Sequence, residues 1–221
     1  MNNQLAESMI KTMKDPLVDV AKDYAEMGVD ALITTGALEK IPLISTCYSV
    51  FNIGKTIAEY YHMQKLAIFL NEIGYGGSEE KRKNYLSKFS EMDAKQRNKE
   101  LQYIIVILSQ YIGYDKPKWL AKIYLAYLDK RISGEKFASY SELINRFLPG
   151  DLDALLKGDQ LSVKDAEAAD TLLRLTAYGL FTPVAKNVQA INYSGTLSIP
   201  AADLKDYLLT AYGKELREIL K

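Results

Sequence analysis

The tetrapeptide Thr-Ala-Tyr-Gly occurs twice near the end of the chain, at 176–179 and again at 210–213, in two different settings. The first copy closes a helical stretch over residues 170–181, and the second sits in another over 207–220. Between them, residues 184–199 have the composition of strands and carry an Asn192-Tyr-Ser-Gly195 turn signal. Helix, hairpin and a Thr-capped terminal helix, in that order, predict a winged-helix-like module over 160–221.

Upstream of this module the spacing of apolar residues is helical throughout. Asp15-Pro16 is a cap and first-position pair that opens a helix over 17–33, with Leu17, Val20, Ala21 and Tyr24 on one face. From Leu43 the pattern runs through Ile73 and stops at the Gly74-Tyr-Gly-Gly77 breaker. Ser78 caps a charged helix reaching about Met92. Asp93 caps the next, where Leu101, Ile104, Ile105, Leu108 and Ile112 form a stripe. Asp115 and Pro117 start a helix ended by Ser133-Gly134, and a shorter one over 135–147 is broken by Leu148-Pro-Gly150. The expected architecture is mainly α: a multi-helix bundle over 1–150, then the small winged-helix-like α+β module. At 221 residues, with 48% apolar and 25% charged side chains, such a chain can bury a sizeable core.

Residues 41–54 form a run of fourteen without a charge. At roughly 1.5 Å per residue it would span about 20 Å, short of the ~30 Å hydrocarbon core of a bilayer. Read as one helix over 43–57, it places Ser45, Ser49, Asn52, Thr56 and Glu59 in a narrow polar stripe. The remaining surface is apolar and must be buried by something. The simplest expectation is a central helix wrapped by its neighbours. The functional alternative makes Leu43, Val50, Phe51, Ile53 and Ile57 a face for a partner protein, for a second copy or for a membrane. Interfacial membrane helices carry basic residues along the polar face, and the hydroxyl and amide stripe here counts against lipid.

Twenty-eight basic and twenty-eight acidic residues cancel, so no global field draws the chain onto nucleic acid. From Asp159 to the end there are eight acids and seven bases, where a DNA-reading module would need a basic helix. Lys81, Arg82, Lys83, Lys88, Lys95, Arg97 and Lys99 are interleaved with acids, so they read as solvated helix faces with Tyr85 and Phe89 turned inward.

Catalytic chemistry has little to draw on. His62 is the single histidine, within Glu59-Tyr-Tyr-His62, and a Glu-His pair there is the one arrangement resembling a general base. Cys47 is the single cysteine, which fits a reducing cytoplasm, and its apolar neighbours predict an inert thiol. One of each leaves no histidine or cysteine metal cluster, no Gly-rich phosphate loop is present, and no cofactor is expected. Asp151 and Asp153 read as helix-capping residues. The N-terminus lacks the basic start and apolar core of a secretory signal.

Several segments resemble those of a group of small bacterial and prophage-encoded all-helical proteins with a winged-helix-like tail. The matching residues are Ile41-Pro-Leu-Ile44, the stretch 65–73, the stretch 121–132, Arg146-Phe-Leu-Pro-Gly-Asp-Leu152 and the stretch 173–181. The resemblance implies packing rather than chemistry, and by association a role in conflict between phage and host. The expected function is therefore non-catalytic: binding to another protein or to itself. A membrane-perturbing effector built on 43–57 and a winged-helix DNA-binding regulator are the alternatives.

Overall fold

The computed structural model describes residues 4–14, 38–51, 56–74, 78–163, 166–184 and 206–221. The helix expected over 17–33 and the hairpin turn at 192–195 lie outside the described residues. The rest is mainly helical with one small antiparallel sheet, as the apolar spacing predicts. The chain divides into two compact units, Met1–Asn145 and Arg146–Lys221.

The first unit contains α1 (Gln4–Lys14), a 3-10 turn (Leu38–Lys40), α2 (Pro42–Val50), α3 (Ile57–Glu72), α4 (Glu79–Glu91), α5 (Ala94–Gln110), α6 (Lys116–Leu128) and α7 (Gly134–Arg146). Local chemistry sets most of these boundaries. The Ser78 hydroxyl accepts from the Lys81 N–H at the start of α4, and the Asp93 carboxylate accepts from Lys95 and Gln96 at the start of α5. α2 starts on Pro42, which has no N–H to satisfy, and Ile41 supplies no side-chain cap. Its next orphan donor, Leu43 N–H, is bonded instead to the Thr12 hydroxyl of α1 at 2.9 Å. Thr12 in turn donates to Ser8 O at 2.8 Å. That contact locks α1 against α2, and Met9 and Met13 of α1 are buried.

Helix α3 packs on α5 and α6, and its residues Met63 to Leu70 are all buried. An aromatic cluster joins α3, α4, α6 and α7: Tyr85 stacks on Phe89, and Tyr124 lies within 6.5 Å of Tyr85, Tyr127, Phe137 and Phe69. Two of its hydroxyls meet Glu100, with Tyr124 at 3.4 Å the longer contact. Tyr127 donates to Glu100 at 2.7 Å and Tyr111 to Ser141 O at 2.9 Å. Burial drives the Tyr85 and Tyr124 hydroxyls well above the usual phenol range, so this layer stays neutral. Tyr85 and Phe89 do turn inward from the charged helix, whose Lys83 pairs with Glu79 at 2.7 Å on the solvent side.

The second unit contains α8 (Asp151–Lys157), β1 (Gln160–Ser162), α9 (Ala166–Ala177), β2 (Phe181–Val184), β3 (Asp206–Leu209) and α10 (Ala211–Leu220). The sheet order is β1-β3-β2, both pairs antiparallel. Residues 207–209, expected to start the last helix, are strand instead: Tyr207 and Leu209 point inward while Leu208 is exposed. Thr210 then has extended backbone and caps α10, its hydroxyl accepting from Gly213 N–H at 3.0 Å.

The two Thr-Ala-Tyr-Gly copies meet. In the first, Gly179 adopts φ +75°, Gly179 N–H bonds Thr176 O at 2.8 Å and Leu180 N–H bonds Leu175 O at 2.9 Å. This is the paired closure of a helix C-terminus around a left-handed residue. In the second, Thr210 donates its hydroxyl back to Gly179 O at 2.7 Å, and its N–H to Leu180 O at 2.9 Å. Gly213 lies so close to the residue after Gly179 that a β-carbon there would stand 2.4 Å from Leu180 O. One copy ends a helix, the other begins one, and each secures the other.

A buried ion pair anchors α8 to α9. Asp151 is wholly buried and takes two hydrogen bonds from the Arg174 guanidinium, at 3.1 Å from Nε and 2.6 Å from the terminal nitrogen. Its other oxygen accepts from Leu148 N–H at 2.7 Å. Asp151 is the first residue of α8, and the cap position, Gly150, makes no side-chain bond, so in place of the expected capping role Asp151 clamps the two helices.

Candidate functional site

The apolar segment 43–57 is not one helix. α2 ends at Val50 with Phe51 as its cap, and α3 begins at Ile57 behind Thr56. The reason is local. Thr56 and Glu59 form a capping box, with the Glu59 carboxylate accepting from the Thr56 N–H at 2.8 Å and from its hydroxyl at 2.6 Å. Two residues assigned to a polar stripe instead define a helix start.

That break splits the expected partner face. Leu43 is fully buried against α1, together with Ile44 and Cys47. Val50 and Phe51 are each 39% exposed and Ile57 is 67% exposed, while Ile53 lies outside the described residues. Also exposed are Tyr61 and Tyr114, which apolar spacing does not single out, and Ile112, which it assigns to the α5 stripe but which lies past the helix end at Gln110. Tyr61, one turn beyond Ile57 on α3, stacks on Tyr114 with ring centroids 5.9 Å apart. Ile112, two residues before Tyr114, is 85% exposed. The available signal was the Ile112-Gly-Tyr114 sequence directly after the α5 stripe: an isoleucine continuing an apolar pattern past the point where the helix stops.

Further along α3, two polar side chains reach α5 and its C-terminal cap. His62 Nε2 is 2.8 Å from Ile105 O, and Lys65 Nζ donates to Tyr111 O at 2.8 Å. A carbonyl only accepts, so Nε2 carries the imidazole proton. Burial, with the Lys65 charge nearby, lowers the His62 pKa below its ordinary value, against the opposing hydrogen bond to Ile105. Lys65 is also lowered by burial, and its ammonium meets the carbonyl of the α5 C-terminal cap, where the helix dipole favours a cation. These contacts give both side chains a positioning role: His62 ties α3 to α5, and Lys65 ties it to the Tyr111 cap of that helix. Glu59, the partner expected for His62 in base catalysis, is engaged at Thr56.

Burial pushes the Cys47 thiol up to about 12, which keeps it protonated and unreactive at neutral pH. Among the described residues no three His, Cys, Asp or Glu side chains cluster as metal ligands, and no helix is long and apolar enough to cross a membrane. No protein-family model, curated protein or solved structure matches the chain. The fold and the site define a mainly helical protein whose first unit exposes a stacked tyrosine pair and several aliphatic side chains.

Proposed function

We propose that the protein works by binding rather than by catalysis, and that its partner is a second copy of itself, docked through Ile57, Tyr61, Ile112 and Tyr114 with Val50 and Phe51 alongside. The observation that carries this reading is the stacked Tyr61–Tyr114 pair flanked by two of the most exposed isoleucines. Clustered apolar side chains left in water mark interaction surfaces, and tyrosine is enriched at the energetic centre of interfaces. Stacking fixes both rings before any partner arrives, which lowers the ordering cost of association. With a formal net charge of zero, two copies meet without long-range repulsion. A two-fold contact would bring the same patch from each copy together. Placed in the phage–host conflict implied by the resemblance, such a protein would act by forming or blocking an assembly.

In the second unit, a helix, an antiparallel strand pair and a Thr-capped final helix support the winged-helix-like reading. The single helix between β1 and β2 supplies no helix-turn-helix pair to seat a recognition helix in a DNA groove, which favours the binding role over the regulator.

Light scattering across a concentration series tests the proposal. The wild-type mass should rise from one chain towards two, and Ile57→Asp with Ile112→Asp should hold it at one while leaving the circular dichroism spectrum unchanged. A wild-type protein that stays monomeric at every concentration overturns the proposal. If that monomer sediments with anionic vesicles, the membrane reading takes its place.

A further inference from the structure

The two outer strands of the small sheet differ in a way that assigns one of them a task. The hydrogen-bond phase follows from the loops at its ends. Leu209 N–H bonds Asp159 O at 2.7 Å, and Leu209 lies in register with Asp159 as Leu208 does with Gln160. In an antiparallel ladder, bonded pairs alternate with unbonded ones. Leu161 therefore exchanges its bonds with Tyr207, and the N–H and C=O groups of Gln160 and Ser162 point away from β3. On the other side, Thr210 N–H bonds Leu180 O at 2.9 Å, so the bonded pairs are Thr182–Leu208 and Val184–Asp206. Pro183 then falls where its nitrogen faces outward. A proline at that phase blunts an edge, since it offers no donor to an incoming strand. Among the described residues, β2 carries this protection and β1 does not.

Beside β1 is a cleft of about 560 Å³. Its described lining comes from β1 and from the helices before and after it: Gln160, Leu161 and Ser162, then Asp153 and Lys157 of α8, and Thr171 and Leu172 of α9, with Glu167 at the mouth. No residue of β3 or β2 is among them, which places the cleft on the outer side of β1. Its volume is in the range of ordinary ligand sites. Leu161 and Leu172 supply apolar lining, and Asp153 and Glu167 set two carboxylates against the Lys157 ammonium.

We propose that this cleft is a peptide-binding site that takes an extended segment as a fourth strand on β1. The backbone groups of Gln160 and Ser162 supply the ladder bonds, as in other cases of strand addition to an open edge. Leu161 and Leu172 receive an apolar side chain at every second position, because side chains alternate across a strand. Asp153 and Glu167 select basic side chains in between. The occupant is a partner segment in extended conformation with alternating apolar and basic residues. The site is separate from the tyrosine patch, and loss of self-association leaves it intact.

The test uses the full chain and the peptide acetyl-Lys-Val-Lys-Val-Lys-Val-amide, with amide chemical shifts locating the site and fluorescence anisotropy of a labelled form giving the affinity. Saturable binding should shift the Gln160 and Ser162 amides. The same peptide N-methylated at alternate residues, which removes the donors that would face β1, should bind at least tenfold more weakly. Gln160→Pro removes an outward N–H without touching the β3 ladder and should weaken binding to a similar degree. Ala154→Trp, filling the cleft from α8, gives a second variant should the proline disturb the strand. No saturable binding overturns the proposal, and so does binding that is indifferent to N-methylation. If Gln160→Pro abolishes self-association and the peptide does not bind, β1 pairs with β1 of another copy and the peptide reading falls.

Discussion

Gly213→Ala separates local propensity from tertiary packing because the two predict opposite signs. Gly213 is the third residue of α10, and replacing a helical glycine by alanine ordinarily stabilises by about 1 kcal/mol. Here the new methyl would stand 2.4 Å from Leu180 O and 2.7 Å from Leu209 Cδ1. The Leu209 methyl can shift, but Leu180 O, a backbone atom, is not free to retreat. Leu180 O is held by Thr210 N–H at 2.9 Å and by the Thr210 hydroxyl at 3.1 Å, so moving it weakens two hydrogen bonds at roughly 1 kcal/mol each. Overpacking adds about 1–3 kcal/mol. Set against the propensity gain, the net is a loss of about 2–4 kcal/mol. Gly179→Ala is the matched control. Nothing lies within 4 Å of its β-carbon position, so it meets only the left-handed backbone at φ +75°, about 1–2 kcal/mol. Urea unfolding followed by circular dichroism should show both variants less stable than wild type, with Gly213→Ala the lower. A Gly213→Ala protein as stable as wild type, or more so, refutes the claim that the twin motifs are in backbone contact.

Asp151→Ala removes the acceptor for both Arg174 and Leu148 N–H. Arg174 is 25% exposed and regains some water, so thermal or urea unfolding should show a loss of about 2–3 kcal/mol, under the 3–5 of a fully buried pair. A change within about 0.5 kcal/mol, the scale of ordinary surface substitutions, would dismiss the clamp. His62 carries a pH signature. The unfolded ring titrates near 6.5 and the buried ring below it, so the unfolded state takes up more protons just under that value. Stability is intact above pH 6.5 and falls as the pH drops, by at most about 1.4 kcal/mol per pH unit for one proton. His62→Gln keeps a donor for Ile105 O and should flatten the slope between pH 7 and 5.5 (roughly the window set by the ordinary histidine range). Identical slopes would mean the imidazole is not desolvated.

What the sequence disclosed is what short-range rules govern. Ser78, Asp93 and Thr210 each precede a helix by one residue, and their hydroxyls or carboxylate reach N–H groups two or three positions on. The break at Thr56 follows the same rule and was hidden because apolar residues continue on both sides of it. A helical wheel drawn over 43–57 absorbs Thr56 and Glu59 into a stripe, although Thr-Ile-Ala-Glu is a complete capping box. The exposed tyrosine patch could not be read for a related reason: whether Tyr61 lies in the core or on the surface depends on where α3 begins and on which turn meets it. The Asp151–Arg174 clamp joins residues 23 apart, and no periodicity selects that partner among the acids nearby. Strand β1 is three residues long, too short for alternation to register.

The repeated tetrapeptide shows why a motif is legible only together with what precedes it. Thr176 follows nearly three turns of helix, so its backbone is already committed and its carbonyl accepts from Gly179 N–H. Thr210 follows a strand and has φ −73° and ψ 168°, so its hydroxyl is free to reach forward to Gly213 N–H. The glycines diverge for the same reason. At 179 the chain must reverse, and the absence of a β-carbon permits a positive φ. At 213 the backbone is helical and the absence of a β-carbon permits contact with Leu180 O. Identical residues thus perform opposite tasks because the strand β3 and the helix α9 deliver them in different backbone phases. The contact between the two copies is where those phases are reconciled, so substitutions at Gly213 should be felt at the end of α9 as well as in α10.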